Sequence, residues 1–267
     1  MKKFIETIKN IFSIEELRIR ILNTIGFLII FRLGSYVVLP GVDANQLSGD
    51  ASGIFGLLNT FLGGAFSRAS VFGLGIMPYI SASIVLQLMT VAVPYFQKLQ
   101  KEGDSGRKKI NQITRVLTIF ICLAQSIGYI NATIPAEAII LQNQFLFQAS
   151  SIIILTAGTI FCMWLGEKIT DKGIGNGISM LIMIGIISRF PGSIVAEALS
   201  RGMSQALIFI LELVALFLVV MATVALVQAV RRIPVQYAKQ VVGNKVYGGQ
   251  RQYIPLKVNS SGVMPII

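Results

Sequence analysis

Apolar residues gather along this chain in runs long enough to cross a bilayer, separated by polar connections. A crossing helix needs about 20 apolar residues, and runs of that order fall at about 21–39, 72–93, 113–132, 149–166, 176–196 and 204–230. A seventh starts over 261–267 (SGVMPII) and stops with the chain, so the sequence reads as part of a longer one. One apolar stretch does not fit the series. GIFGLLNTFLGG, residues 53–64, is twelve residues long and four of them are glycine, so it is too short to cross.

The connections alternate in charge. Lys and Arg number five in residues 1–20, six in 95–115, two in 167–172 and six in 231–257, which accounts for 19 of the 23. The others are Arg32, Arg68, Arg189 and Arg201. Every second connection is thus strongly basic, and the positive-inside rule places these and the N-terminus on the cytoplasmic side. Residues 1–20 carry acids as well as bases and have no cleavable apolar core, so they read as an amphipathic cytoplasmic segment rather than a signal peptide. If 53–64 also crossed, every later basic loop would fall outside. It must therefore remain on the external side, entering partway or lying at the mouth of a cavity. Non-helical backbone at that depth is tolerated only where protein or a water-filled cavity surrounds it. A helix lying flat on lipid would carry a basic polar face, and no charge occurs here before Arg68.

Composition agrees with this pattern. The chain is 54% apolar and 13% charged, against about 25% charged in soluble domains. The net charge of +11 is spread through connections and forms no basic reading helix, so sequence-specific nucleic-acid binding is not expected. Histidine is absent, and Cys122 and Cys162 both lie inside apolar runs. A disulfide framework, a zinc site and a Cys/His nucleophile are therefore not expected, and neither is catalysis or a cofactor.

Two crossing runs begin with glycine. GLGIMPYISASIVLQL (73–88) contains Pro78 near a helix start and places Ile76, Ile80 and Ile84 at intervals of four. GIGNGISMLIMIGI (173–186) follows no strand, so its glycines fail as a dinucleotide cradle and instead suit close backbone approach. Ile178 and Ile182 follow at the same interval. The stretch 231–259 alternates Val, Tyr and Ile, with turn signals at Gly243-Asn244 and Gly248-Gly249, and reads as a projecting basic hairpin. Its charge suits an acidic partner surface or an RNA backbone. Arg32 late in the first run is placed to snorkel outward. Neither it nor Glu212 has an obvious partner in the sequence.

Three stretches, SRASVFGLGIMPYISASIVLQ (67–87), MWLGEKITDKGIGNGISM (163–180) and RRIPVQYAKQVVGNKVYGGQ with YIPLKVN (231–259), closely resemble the SecY family, central subunits of the bacterial protein-conducting channel. The resemblance runs from about Leu17 to Ile267 and implies an all-α polytopic membrane protein with a SecY-like helical channel. This chain would supply the first half of an inverted repeat, span six and the start of span seven. Residues 53–64 would be a re-entrant plug, formed by Ile54, Phe55, Leu57, Leu58, Phe61 and Leu62. Ile76, Ile80, Ile178 and Ile182 would contribute to an aliphatic pore ring. Arg107, Lys108, Lys109, Arg231, Arg232, Lys245 and Arg251 would dock the ribosome or the motor SecA, with Asn244 departing from the base that many bacterial members carry beside Lys245. The implied partners are SecE, SecG, SecA, the ribosome, signal peptides and unfolded polypeptides, in the bacterial inner membrane. The competing reading, a secondary transporter with broken helices, needs midplane ligands, and its candidates Gln87, Gln125 and Thr156 are scattered.

Overall fold

The computed structural model describes residues 6, 12–47, 54–141, 143–201, 206–236, 240–242, 245–247 and 251–258. Gly53, most of the first eleven residues and the expected seventh run at 261–267 lie outside the described residues. Among the described residues the α-helices are α1 (Glu15–Gly34), α2 (Ile54–Phe61), α3 (Met77–Ala92), α4 (Pro94–Lys101), α5 (Asp104–Thr133), α6 (Gln144–Lys172), α7 (Gly177–Arg201) and α8 (Ala206–Gln228). Strands β1 (Val230–Gln236), β2 (Gln240–Val242), β3 (Lys245–Tyr247) and β4 (Arg251–Lys257) follow. The chain divides into two compact units, Met1–Ser193 and Ile194–Ile267.

Among the described residues, four helical stretches are long and apolar enough to cross a bilayer: Asp104–Thr133, Gln144–Lys172, Gly177–Ser200 and Leu207–Gln228. The pair α3 and α4, bent by 98° at the intervening residue, adds a fifth candidate as a broken span. Pro94 opens the second member of that pair, where its missing N–H costs nothing. α1 carries Arg18, Arg20 and Arg32 besides Glu15 and Glu16 and is less uniformly apolar than the others.

Two boundaries differ from the sequence pattern. The run at 21–39 does not stay helical: α1 ends at Gly34, and 36–39 turn back toward 69–71. Leu39 N–H donates to the Ala69 carbonyl at 2.8 Å and Val71 N–H to the Val37 carbonyl at 2.8 Å. Val37, Val38 and Leu39 are apolar in either conformation, so hydropathy cannot place this end. The run at 72–93 likewise becomes helical only at Met77, after a series of turns.

In the first unit, α5 and α6 pack through a seam of small polar residues. Thr118, Cys122, Ser126 and Thr159 are buried there. Thr118 and Ser126 donate to carbonyls one turn back, at 2.7 Å each, and the Cys122 thiol meets the Thr159 hydroxyl at 3.4 Å. Small residues let membrane helices approach, and donors satisfied within their own helix carry no burial penalty. A forked ion pair, Arg115 to Glu167 at 3.1 and 2.7 Å, ties the same two helices farther along. Two apolar clusters result. One joins Leu39, Leu62, Phe66, Leu74, Tyr129, Phe147 and Leu155. The other joins Phe31, Phe72, Ile76, Cys162, Leu165, Ile169 and Leu181.

In the second unit, β1 pairs antiparallel with β4 from Val230↔Lys257 to Gln236↔Arg251, and β2 pairs with β3 from Gln240↔Tyr247 to Val242↔Lys245. Pro234 and Pro255 both sit in the longer ladder; in a two-stranded ribbon every residue lies on an edge, so proline is accommodated. Of the two expected turn signals, 243–244 separates paired strands and 248–249 joins β3 to β4, and both lie outside the described residues.

A Cβ on Gly177 would collide with the Gly166 carbonyl oxygen, whereas one on Gly128 would meet nothing within 4 Å. Gly177→Ala therefore costs about 1–3 kcal/mol of stability. Gly128→Ala is neutral or stabilising by up to about 1 kcal/mol. Thermal unfolding of the two variants in detergent checks the pair; equal melting temperatures would contradict the packing.

Candidate functional site

α2 is eight residues long, and among the described residues the hydrogen bonds that fix it to the following chain lie at its C-terminal end. Asn59, 4% exposed, accepts a hydrogen bond from Ser67 N–H through its side chain (3.2 Å) and from Gly64 N–H through its carbonyl (2.9 Å). The chain turns at Gly63 and Gly64, whose φ angles are +61° and +88°, a region that residues with a Cβ rarely adopt. Arg68 closes the turn. Its Nε–H donates to the Gly64 carbonyl at 3.0 Å and its Nη2–H to the Gly63 carbonyl at 2.9 Å. Downstream, the Tyr129 hydroxyl on α5 donates to the buried Phe66 carbonyl at 2.8 Å, and the two rings meet edge to face.

Of the expected plug residues, Leu62 is buried and Leu58 half-buried, both in the first cluster. Leu57 and Phe61 are 64% and 42% exposed. Ile54 and Phe55 belong to α2, but their side chains lie outside the described residues. The end of α2 leans on α7: a Cβ on Gly185 would strike the Phe61 carbonyl oxygen, and one on Gly63 would come within 2.7 Å of Ser188 Oγ.

The four isoleucines come together in the second cluster, but unequally. Ile76 lies before α3 rather than in it and is 4% exposed, while Ile80, Ile178 and Ile182 are partly buried against the cluster. Ile84 is half-buried. Ile76 and Ile178 converge on Gly166, whose Cβ position is 3.6 Å from Ile76 Cδ1 and 3.2 Å from Ile178 Cγ1. Ile182 also borders an open apolar groove of about 350 Å³ with Ser179, Met183, Ile186 and Ile187. The turn that positions Ile178 is built by hydrogen bonds. Asn176 Oδ1 caps α7 by accepting from Ile178 and Ser179 N–H at 3.0 and 3.4 Å. Thr170 Oγ1 accepts from Gly177 N–H at 2.9 Å, and Thr24 Oγ1 on α1 accepts from Ile174 N–H at 3.1 Å.

The basic residues occupy separate elements. Arg107, Lys108 and Lys109 are exposed at the start of α5, and Arg231 and Arg232 are exposed on β1. Lys245 opens β3 and Arg251 opens β4, with side chains outside the described residues, as is Asn244 entirely. The intramembrane charges depart from expectation. Arg32 has partners: its Nη2–H donates to the Tyr36 hydroxyl at 3.4 Å, and its guanidinium lies 5.4 Å from that ring's centre. Its Nη1 is buried rather than snorkelling to water. Glu212 also takes part in an interaction. The grouping of Arg32, Arg68 and Arg189 around Gly63 and Gly64 was not legible in the sequence, because the three arginines are far apart along it; their only signal was being the basic residues left over from the charged loops.

Comparison with known proteins places this arrangement. The SecY family model matches residues 70–267. The SecY protein translocase subunit of Buchnera aphidicola is 45% identical over 262 residues, covering 95% of this chain and 60% of that protein. The chain thus spans about three fifths of the length of such relatives. Among solved structures, a protein-conducting channel matches with a TM-score of 0.60 at 18% identity, covering 90% of this chain and 52% of that one. Sec61 in the canine ribosome-channel complex from the endoplasmic reticulum matches with a TM-score of 0.56 at 18% identity, covering 81% and 49%. These structures share the helical channel fold, and on the family match and the sequence identity together the chain belongs to the SecY family.

Proposed function

We propose that this chain forms part of the pore of a protein-conducting channel, which passes unfolded secretory proteins across the bacterial inner membrane and releases membrane proteins into it. The observation that carries the reading is α2: an apolar helix too short to cross, whose end packs through Leu58 and Leu62 into the first cluster, with Leu62 against Gly75, the residue before Ile76 of the cluster that also gathers Ile80, Ile178 and Ile182. An aliphatic constriction has no charge to coordinate ions and closes by dewetting, yet it yields to any side chain. A helix weakened by glycine and tethered at one end suits a plug, which must be displaced each time a polypeptide enters. The plug is Ile54, Phe55, Leu57, Leu58, Phe61 and Leu62.

The basic connections face the cytoplasm, as does the N-terminus, and energy comes from partners rather than from chemistry in this chain. The docking residues are Arg107, Lys108 and Lys109 in the first unit and, separately, Arg231, Arg232, Lys245 and Arg251 on the ribbon of the second. The ribosome is supported as one partner by the Sec61 neighbour, solved in complex with it. SecA, SecE and SecG are proposed from family membership. A small-solute transporter is disfavoured, because the relatives are translocase subunits.

Replacing Ile80 and Ile182 together by Gly widens and wets the constriction. Ion conductance of the assembled channel in planar bilayers then rises severalfold, and unchanged conductance would reject the ring. Reversing charge with Lys245→Glu and Arg251→Glu weakens binding of the motor or ribosome, most strongly at low salt where the screening length is long. Affinity retained at low salt would reject the ribbon as the dock.

A further inference from the structure

Three guanidinium groups converge on the Gly63–Gly64 turn with no ion-paired carboxylate among the described residues. A Cβ on Gly63 would lie 2.6 Å from Arg32 Nη1. One on Gly64 would lie 2.5 Å from Arg189 Nη2 and 2.6 Å from Arg68 Nη2, so those two nitrogens are no more than about 5 Å apart. Tyr36 sits between two of the groups, its ring centre 4.2 Å from the Arg68 guanidinium and 5.4 Å from that of Arg32. The ion pairs among the described residues, Arg20 with Glu16 and Arg115 with Glu167, lie elsewhere. Like charges this close repel, and an uncompensated cluster is costly wherever solvent is restricted.

The donors are also incompletely used. Arg68 spends Nε and Nη2 on the two glycine carbonyls. Arg32 spends Nη2 on Tyr36, while its Nη1 is buried with no hydrogen-bond partner. A buried cationic donor without an acceptor is expensive, and the Arg32 Nη1–H groups are free to bind one.

We propose that Arg32, Arg68 and Arg189 form a binding site for a phosphate-type oxyanion, seated against the Gly63–Gly64 turn. Three planar forks approaching from three elements suit a tetrahedral anion with at least three acceptor oxygens better than a carboxylate with two. The site lies just past the end of α1, beside an aromatic residue of the kind that marks membrane interfaces. The phosphate therefore comes from free inorganic phosphate or from a lipid headgroup of that leaflet. Either would neutralise the repulsion and fix the turn from which α2 hangs. Anion occupancy and plug seating are then linked, since whatever binds the seated form stabilises it.

Thermal unfolding of the purified channel in a phosphorus-free detergent tests the site. Inorganic phosphate raises the melting temperature, and chloride at matched ionic strength does not. Arg189→Gln weakens the apparent affinity by about tenfold or more, and Arg189→Lys, which keeps the charge but loses the fork, also weakens it; the second variant serves if the first does not fold. In nanodiscs containing phosphatidylglycerol, loss of the response to free phosphate together with lipid phosphorus that copurifies with the wild type but not with the lysine variant identifies the headgroup as the source. A response that persists there identifies free phosphate. The absence of any phosphate-specific shift in both settings, or equal shifts in wild type and both variants, would overturn the proposal.

Discussion

The structure depends on a backbone turn. Residues 54–76 change direction without a continuous helix to satisfy their peptide groups, and Gly63 and Gly64 make the turn by adopting left-handed angles side by side. Two carbonyls freed by that turn are taken up by the Arg68 guanidinium, and the side chain and carbonyl of Asn59 hold the backbone on either side. Buried backbone groups must find partners, and here the chain's own side chains supply them. This accounts for cationic and amide side chains in a stretch that is otherwise apolar.

From that anchor the rest follows in sequence order. Leu62 and Leu58 pack into the first apolar cluster, Tyr129 fixes the Phe66 carbonyl, and the chain reaches Ile76 and α3 already positioned. Gly166 and Gly177 bring α6 and α7 close enough for Ile178 and Ile76 both to reach Gly166, while Asn176 and Thr170 satisfy the turn between those helices. Hydrogen bonding determines where the backbone can go. Aliphatic packing then determines what lines the result.

Much of this was legible in the sequence. The apolar runs at 113–132, 149–166, 176–196 and 204–230 overlap four long apolar helices, loop charge gave a consistent alternation, and the length of 53–64 marked it as an exception. The close backbone approach inferred from GIGNG is present at Gly177. Other features were hidden for physical reasons. Val37 and Val38 are as apolar in a bridge as in a helix, so the end of α1 at Gly34 left no trace in hydropathy. Spacing of four put Ile76 in line with Ile80 but could not reveal that Ile76 precedes the helix and is shut inside the cluster. Arg32, Arg68 and Arg189 meet only in three dimensions, and so Arg32 read as a snorkelling residue when its Nη1 is buried beside a glycine turn.

The central claim, that α2 is enclosed by protein and does not lie on lipid, is open to direct measurement. Leu57 on α2 and Phe120 on α5 are almost equally exposed, at 64% and 65%, so exposure in this chain does not separate them. With the single native Trp164 changed to Phe, a tryptophan is placed at position 57 or 120 of the assembled channel, and quenching by lipids brominated along their acyl chains is compared. The account predicts strong quenching at 120 and little at 57. Equal quenching at the two positions would place α2 against lipid and contradict it.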